Sequence, residues 1–160
     1  MEELDKTFFQ FYVSRKDEME TEKLTAVARR YKALAHPARL RMLAMLRTGE
    51  LCVCQIIAPL RLAPSTVSAH LAELRRSGLL EERKQGRWVY YGLSRNRMAE
   101  RLFEILWPAL ETDPQVAADA AVVAKLREVS VDELCRVSLD LEQLGIVVQR
   151  GVRKEHRKQA

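Results

Sequence analysis

The stretch that most restricts the fold is "CVCQIIAPLRLAPSTVSAHLAELRRSGLLEERKQGRWVYYGL", residues 52–93. It opens with a short helix over roughly 52–60, in which Ile56, Ile57 and Leu60 are apolar. Only "RLA" separates that helix from a second one over roughly 64–77, which begins at Pro64 and ends at Gly78. A short helix, a tight turn and a second short helix is the helix-turn-helix plan. The sequence period then changes, and two β-prone runs, 79–83 and 87–92, flank "KQG" as a hairpin.

The flanks are helical. Residues 3–16 read as a helix carrying the aromatic patch Phe8, Phe9, Phe11 and Tyr12, which a monomer gains little by exposing. Residues 22–35 form a second helix with Leu24, Val27, Tyr31 and Leu34 at helical spacing, and "HPARLRMLAML" starts a third at Pro37. Beyond Asn96 a helix runs to about 110, with Met98, Leu102, Ile105 and Leu106 on one face, until Asp113-Pro114 breaks it. An alanine- and valine-rich helix fills about 116–128, and Ser130 with Glu133 forms a capping box for a last helix reaching Gly145. The expected fold is therefore mainly α with a small β-hairpin wing, a winged helix-turn-helix. The expected division is a winged helix-turn-helix unit over 1–112, a helical extension over 113–149 and a disordered basic tail over 150–160.

Charge sharpens this reading. The net +5 is concentrated in 61–97, where eight basic groups face three acidic ones, and in the tail. Residues 98–149 hold four basic and ten acidic groups instead. A basic middle suggests a polyanion partner, a solvated charged face being the bland alternative. The chain has no run of eighteen apolar residues, and its acidic start lacks a signal-peptide pattern, so a soluble, cytoplasmic protein without a membrane partner is expected.

Within the second helix of the motif, Ser65, Thr66 and Ser68 precede a stripe of Val67, Leu71 and Leu74. Small hydroxyl side chains in the first turns suit close approach to base edges in the major groove. His70 either touches DNA or packs, and Arg75 lies near phosphates. The wing places Arg83, Lys84 and Arg87 around its tip, where they can track phosphates and supply salt-sensitive affinity. Trp88 to Tyr91 read as strand packing rather than base-stacking platforms.

Three cysteines, an odd number, make no disulfide framework. Cys52 and Cys54 lie two apart at a helix start, where side chains on a regular helix point about 200° apart. A shared ligand would distort the first turn, whose amides have no intrahelical partners. The helix N-terminus favours thiolate, and thiolates select soft ions. Small apolar filler is the bland alternative, and a strained disulfide switch a further one. Cys135 lies beside the stripe Leu134, Val137, Leu141 and Leu144, where cysteine often serves as a core residue.

Together "LAHPARLRMLAML", "GELCVCQI" and "STVSAHLAELRRSGLLEERKQGRWVYYGL" resemble the ArsR/SmtB family of metal-responsive winged-helix repressors, over about residues 22–108. The resemblance implies a homodimer built on the first and last helices, binding to an inverted-repeat operator, and release when a metal or metalloid binds. "ELCVC" resembles the sensors of trivalent arsenic and antimony, usually "ELCVCDLC"; here Gln55 replaces Asp and Ile57 stands at or beside the third cysteine. By that resemblance Cys52 and Cys54 are the effector ligands of arsenite, antimonite or an organoarsenical; with the family's third cysteine missing, either the two thiols act alone or Cys135 of the same or the other subunit completes the set. The family's other site type, with Asp and His ligands on interface helices, finds no match, since residues 98–128 contain no His.

No glycine-rich phosphate loop, nucleophile elbow or carboxylate–histidine arrangement suggests an enzyme or a catalytic cofactor. A redox-responsive or constitutive regulator on the same fold is the alternative to metalloid sensing.

Overall fold

The computed structural model describes residues 23–136, 141–143 and 145–146, apart from the side chain of Cys135. The aromatic 3–16 segment, the basic tail and most of the chain after Arg136 lie outside the described residues. Helix α1 (residues 23–34) and α2 (Pro37–Leu46) lead into a two-residue strand, β1 (Leu51–Cys52). The helix-turn-helix follows as α3 (Val53–Leu60) and α4 (Pro64–Arg76), then the wing strands β2 (Leu80–Gln85) and β3 (Trp88–Leu93). Helices α5 (Arg97–Leu110), α6 (Pro114–Leu126) and α7 (Val131–Arg136) complete the order.

Local chemistry sets the helix ends. The His36 ring caps α2, its Nδ1 accepting the Ala38 N–H at 3.1 Å, and Pro37 supplies a preset first turn. Asn96 and Asp113 cap α5 and α6 through side-chain oxygens. Helix α4 ends in a Schellman motif: Gly78 sits at φ +73, its N–H donates to the Arg75 carbonyl, and Leu79 N–H donates to that of Leu74. Leu74 and Leu79 are both fully buried, so the same turn that stops the helix aims β2 into the core.

The core collects one stripe from each element: Met42, Leu43 and Leu46 of α2, Ile56 and Leu60 of α3, Val67, Leu71 and Leu74 of α4, and Leu102 and Phe103 of α5. The stripe in α4 leaves Ser65, Thr66 and Ser68 on the exposed face.

The sheet is antiparallel in the order β1-β3-β2. The hairpin is longer than the sequence suggested, pairing from Leu80 opposite Leu93 to Gln85 opposite Trp88, so the turn falls on Gly86 and Arg87. Gly86 has φ +59 while Arg87 keeps a negative φ, the requirement of a type II′ turn with glycine first. The third strand was not expected at all. Leu51 pairs with Tyr91 and Cys52 with Tyr90.

The C-terminal helices pack directly on this unit. Helix α6 lies against α2 and α3, and α7 against α3. Val122, Leu126, Leu134, Leu141, Ile146 and Ala58 form a second apolar cluster beneath α3. Asp119 of α6, nearly fully buried, receives Arg41 Nε and Nη2 of α2 at 2.6 and 2.8 Å and Gln115 Nε2 at 3.0 Å. The same guanidinium donates to the Pro59 carbonyl of α3 at 3.2 Å. Among the described residues no helix is long and apolar enough to cross a membrane.

Candidate effector site and nucleic-acid interface

Cys52 is the last residue of β1 and the N-cap of α3, with extended backbone at φ −67 and ψ 149. It therefore stands outside the helix, which corrects the expectation that both cysteines share a regular first turn and point about 200° apart. The bend between strand and helix lets the Cys54 thiol donate a hydrogen bond to the Cys52 sulfur. That bond is the main reason the Cys52 thiol falls from its ordinary 9.0 to about 6; burial opposes it, and the Cys54 and Val53 backbone amides add to it. Cys52 is completely buried, whereas Cys54 is half-buried and packs against the second cluster.

Two sets of hydrogen bonds tie this bend to the C-terminal end of α6. Gln55, itself buried, accepts the Cys52 N–H at Oε1 (2.9 Å) and donates from Nε2 to the Leu126 carbonyl (3.1 Å). Arg127 reaches over the loop before Cys52, donating to the Gly49 carbonyl at 3.1 Å, Thr48 Oγ1 at 3.2 Å and the Glu50 carbonyl at 3.4 Å. The thiol pair is thus fixed on both flanks by one helix end. Gln55 was read in the sequence only as a departure from a pattern; its buried amide is what ties α3 to α6.

Among the described residues no three His, Cys, Asp or Glu side chains gather as a metal site. The site is a two-thiol one there. Cys135 is carried by α7, the helix packed on α3, and its side chain lies outside the described residues.

The candidate nucleic-acid face has two parts. Ser65, Thr66 and Ser68 are exposed on the first turns of α4. His70, half-buried, sits with its ring 4.3 Å from that of His36, centroid to centroid. Burial first, then the neighbouring His36 and Arg39, lowers the His70 pKa. Arg75 pairs with Glu82 at 2.7 Å. On the wing, Lys84 is exposed, and Arg83 pairs with Glu50 at 2.8 Å, bonds Gln85 and lies over the Tyr90 ring at 5.1 Å. Arg87 stacks over Trp88 at 4.6 Å and ion-pairs with Asp132 of α7. The partners Glu50 and Asp132 had no signal in the sequence, being 33 and 45 residues from their arginines.

The family described as "Bacterial regulatory protein, arsR family" matches residues 36–82, from the cap of α2 into β2, a span that holds both cysteines and α4. Arsenic resistance transcriptional regulator ArsR2 of Pseudomonas putida is 36% identical over 96 residues, covering 59% of this chain and 83% of that protein. This chain belongs to the arsR family. Arsenic resistance transcriptional regulator ArsR1 of the same organism is 48% identical over 64 residues, 39% of this chain and half (50%) of that protein. Among solved structures, the homodimeric winged helix-turn-helix DNA-binding domain of Mb0332 from Mycobacterium bovis aligns with TM-score 0.52 at 33% identity, over 59% of this chain and 87% of that one. This arsR-family chain is accordingly a transcriptional regulator with a winged helix-turn-helix, not an enzyme. Helices α5, α6 and α7 lie beyond the matched family segment.

Proposed function

We propose that this arsR-family protein is a metalloid-responsive repressor: it binds an inverted-repeat operator as a homodimer and is released when trivalent arsenic or antimony binds Cys52 and Cys54. One observation carries the reading. Cys52 belongs at once to the cap of the first helix-turn-helix helix and to the strand paired with the wing, at Tyr90. Any ligand on its sulfur acts on both DNA-contacting parts.

The chemistry suits the pair. With a pKa of about 6, Cys52 is largely thiolate at neutral pH. Each sulfur that replaces a hydroxyl of arsenous acid forms one As–S bond and breaks one As–O bond; a thiol sends its proton out with the hydroxyl as water, a thiolate releases hydroxide that takes a proton from solvent, and the pair forms a dithiolate arsenic complex. Ligation removes the Cys54-to-Cys52 hydrogen bond and draws the two sulfurs around one centre. The strand–helix bend must then readjust against the fixed points at Gln55 and Arg127. Cys135, on a helix packed on α3, is the candidate third ligand from the same subunit. An effector acts by differential binding to two states, and this bend supplies the difference.

The DNA contacts follow from position: Ser65, Thr66, Ser68 and His70 toward base edges, and Arg75, Arg83, Lys84 and Arg87 toward phosphates. Leu24, Val27 and Tyr31 of α1, with Met98 and Ile105 of α5, are exposed apolar residues that a second copy would cover.

The test is displacement from a duplex of the protein's own promoter. Arsenite releases the wild type, and Cys52→Ser with Cys54→Ser retains DNA affinity but ignores arsenite. The adjacent thiols, one of them acidified, favour one second reading, release on oxidation to a disulfide. Diamide acting where arsenite does not would select it.

A further inference from the structure

The wing arginine at the turn, Arg87, is engaged by Asp132, the second residue of α7. Both side chains are largely exposed, at 72% and 64%. Such a pair contributes little to stability, so it can open whenever a stronger anion competes. The turn position of Arg87, with Gly86 beside it, is where a wing approaches a phosphate. Asp132 therefore occupies the guanidinium that DNA would use. Its neighbour Glu133 faces away to Arg136, at 3.9 Å, and Arg83 takes its carboxylate from Glu50, within the winged unit itself.

We propose that α7 is an autoinhibitory element: Asp132 competes with the DNA phosphate for Arg87, and fixing α7 against α3 shifts that competition against DNA. The first half stands on the ion pair alone. The second rests on the metalloid reading, because a Cys135 sulfur joined to the centre at Cys52 and Cys54 would tether α7 and with it the carboxylate of Asp132, three residues earlier, at the wing. Tethering raises the local concentration of a weak competitor without any new contact. An exposed ion pair is suited to this, being weak enough to yield to DNA while α7 is free and harder to displace once α7 is held in place.

The experiment measures binding of the full chain to a fluorescent promoter duplex across salt concentration, with and without arsenite. Asp132→Asn is expected to tighten metalloid-free binding about two- to fivefold at low salt. It should also steepen the salt dependence by about one phosphate contact. In an Arg87→Gln background the same change should have no effect, and Glu133→Gln, equal in charge, should do less. With arsenite, Asp132→Asn should lose less affinity than wild type while binding the same amount of arsenic. Equal gains from Glu133→Gln, or an undiminished gain in the Arg87→Gln background, would reduce the effect to net charge and overturn the inference, as would no change in Asp132→Asn. If arsenite leaves wild-type binding unchanged while the Asp132–Arg87 coupling persists, the metalloid reading fails and the autoinhibitory contact stands.

Discussion

At the scale of single residues, Cys52 carries the account because its environment prepares it as a thiolate. The donor is the Cys54 thiol, and burial works in the opposite direction. Removing the donor in Cys54→Ala, in a Cys135→Ser background, should raise the Cys52 pKa well above 6, read from thiolate ultraviolet absorbance against pH. An unchanged titration would mean that the amides alone hold the charge. The lowered pKa also has a sign for stability. The folded state favours the thiolate, so this stabilisation is complete near the ordinary thiol value of 9.0 and is lost as pH falls through about 6. Wild type and Cys52→Ala should therefore converge in stability toward pH 5 and diverge above pH 7, in denaturant melts.

At the scale of elements, the helices were legible because their ends carry their own chemistry. Pro37, Pro64, Asn96, Asp113-Pro114 and Gly78 each announce a boundary, and all five stand at or beside a helix end. Gly78→Ala should cost about 1 kcal/mol, since φ +73 disfavours any Cβ; a melt showing no loss would contradict the Schellman assignment. Strand β1 was hidden for a physical reason: two residues inside an apolar run show no alternation, and their pairing is decided by Tyr90 and Tyr91 far along the chain. Because β1 ends at Cys52, the same gap misplaced that residue in the helix. The Arg41–Asp119 bridge was hidden by its separation of 78 residues, although one acid in the stretch "VAADAAVVA" hinted at a buried partner. Asp119→Ala should lower the unfolding free energy by about 2–4 kcal/mol, because it strands a half-buried guanidinium. Replacing both partners, Asp119→Leu with Arg41→Met, should recover most of that loss in the same melt.

At the scale of the whole molecule, the thiol pair lies where three parts meet. The strand pairs with the wing, the capped helix leads to the recognition helix, and the end of α6 grips both flanks through Gln55 and Arg127. The basic middle of the sequence pointed to the candidate DNA face, but not to the carboxylates that engage its arginines, since ion pairs between distant segments leave no local pattern. The central claim is that occupying these two sulfurs lowers affinity for DNA. The most direct measurement is the anisotropy of a labelled promoter duplex, bound by the protein and titrated with arsenite at constant salt. The account predicts that wild type dissociates as arsenite binds, while the Cys52→Ser, Cys54→Ser protein binds the duplex equally well and stays bound. A double variant that still dissociates at the same arsenite concentration would contradict it.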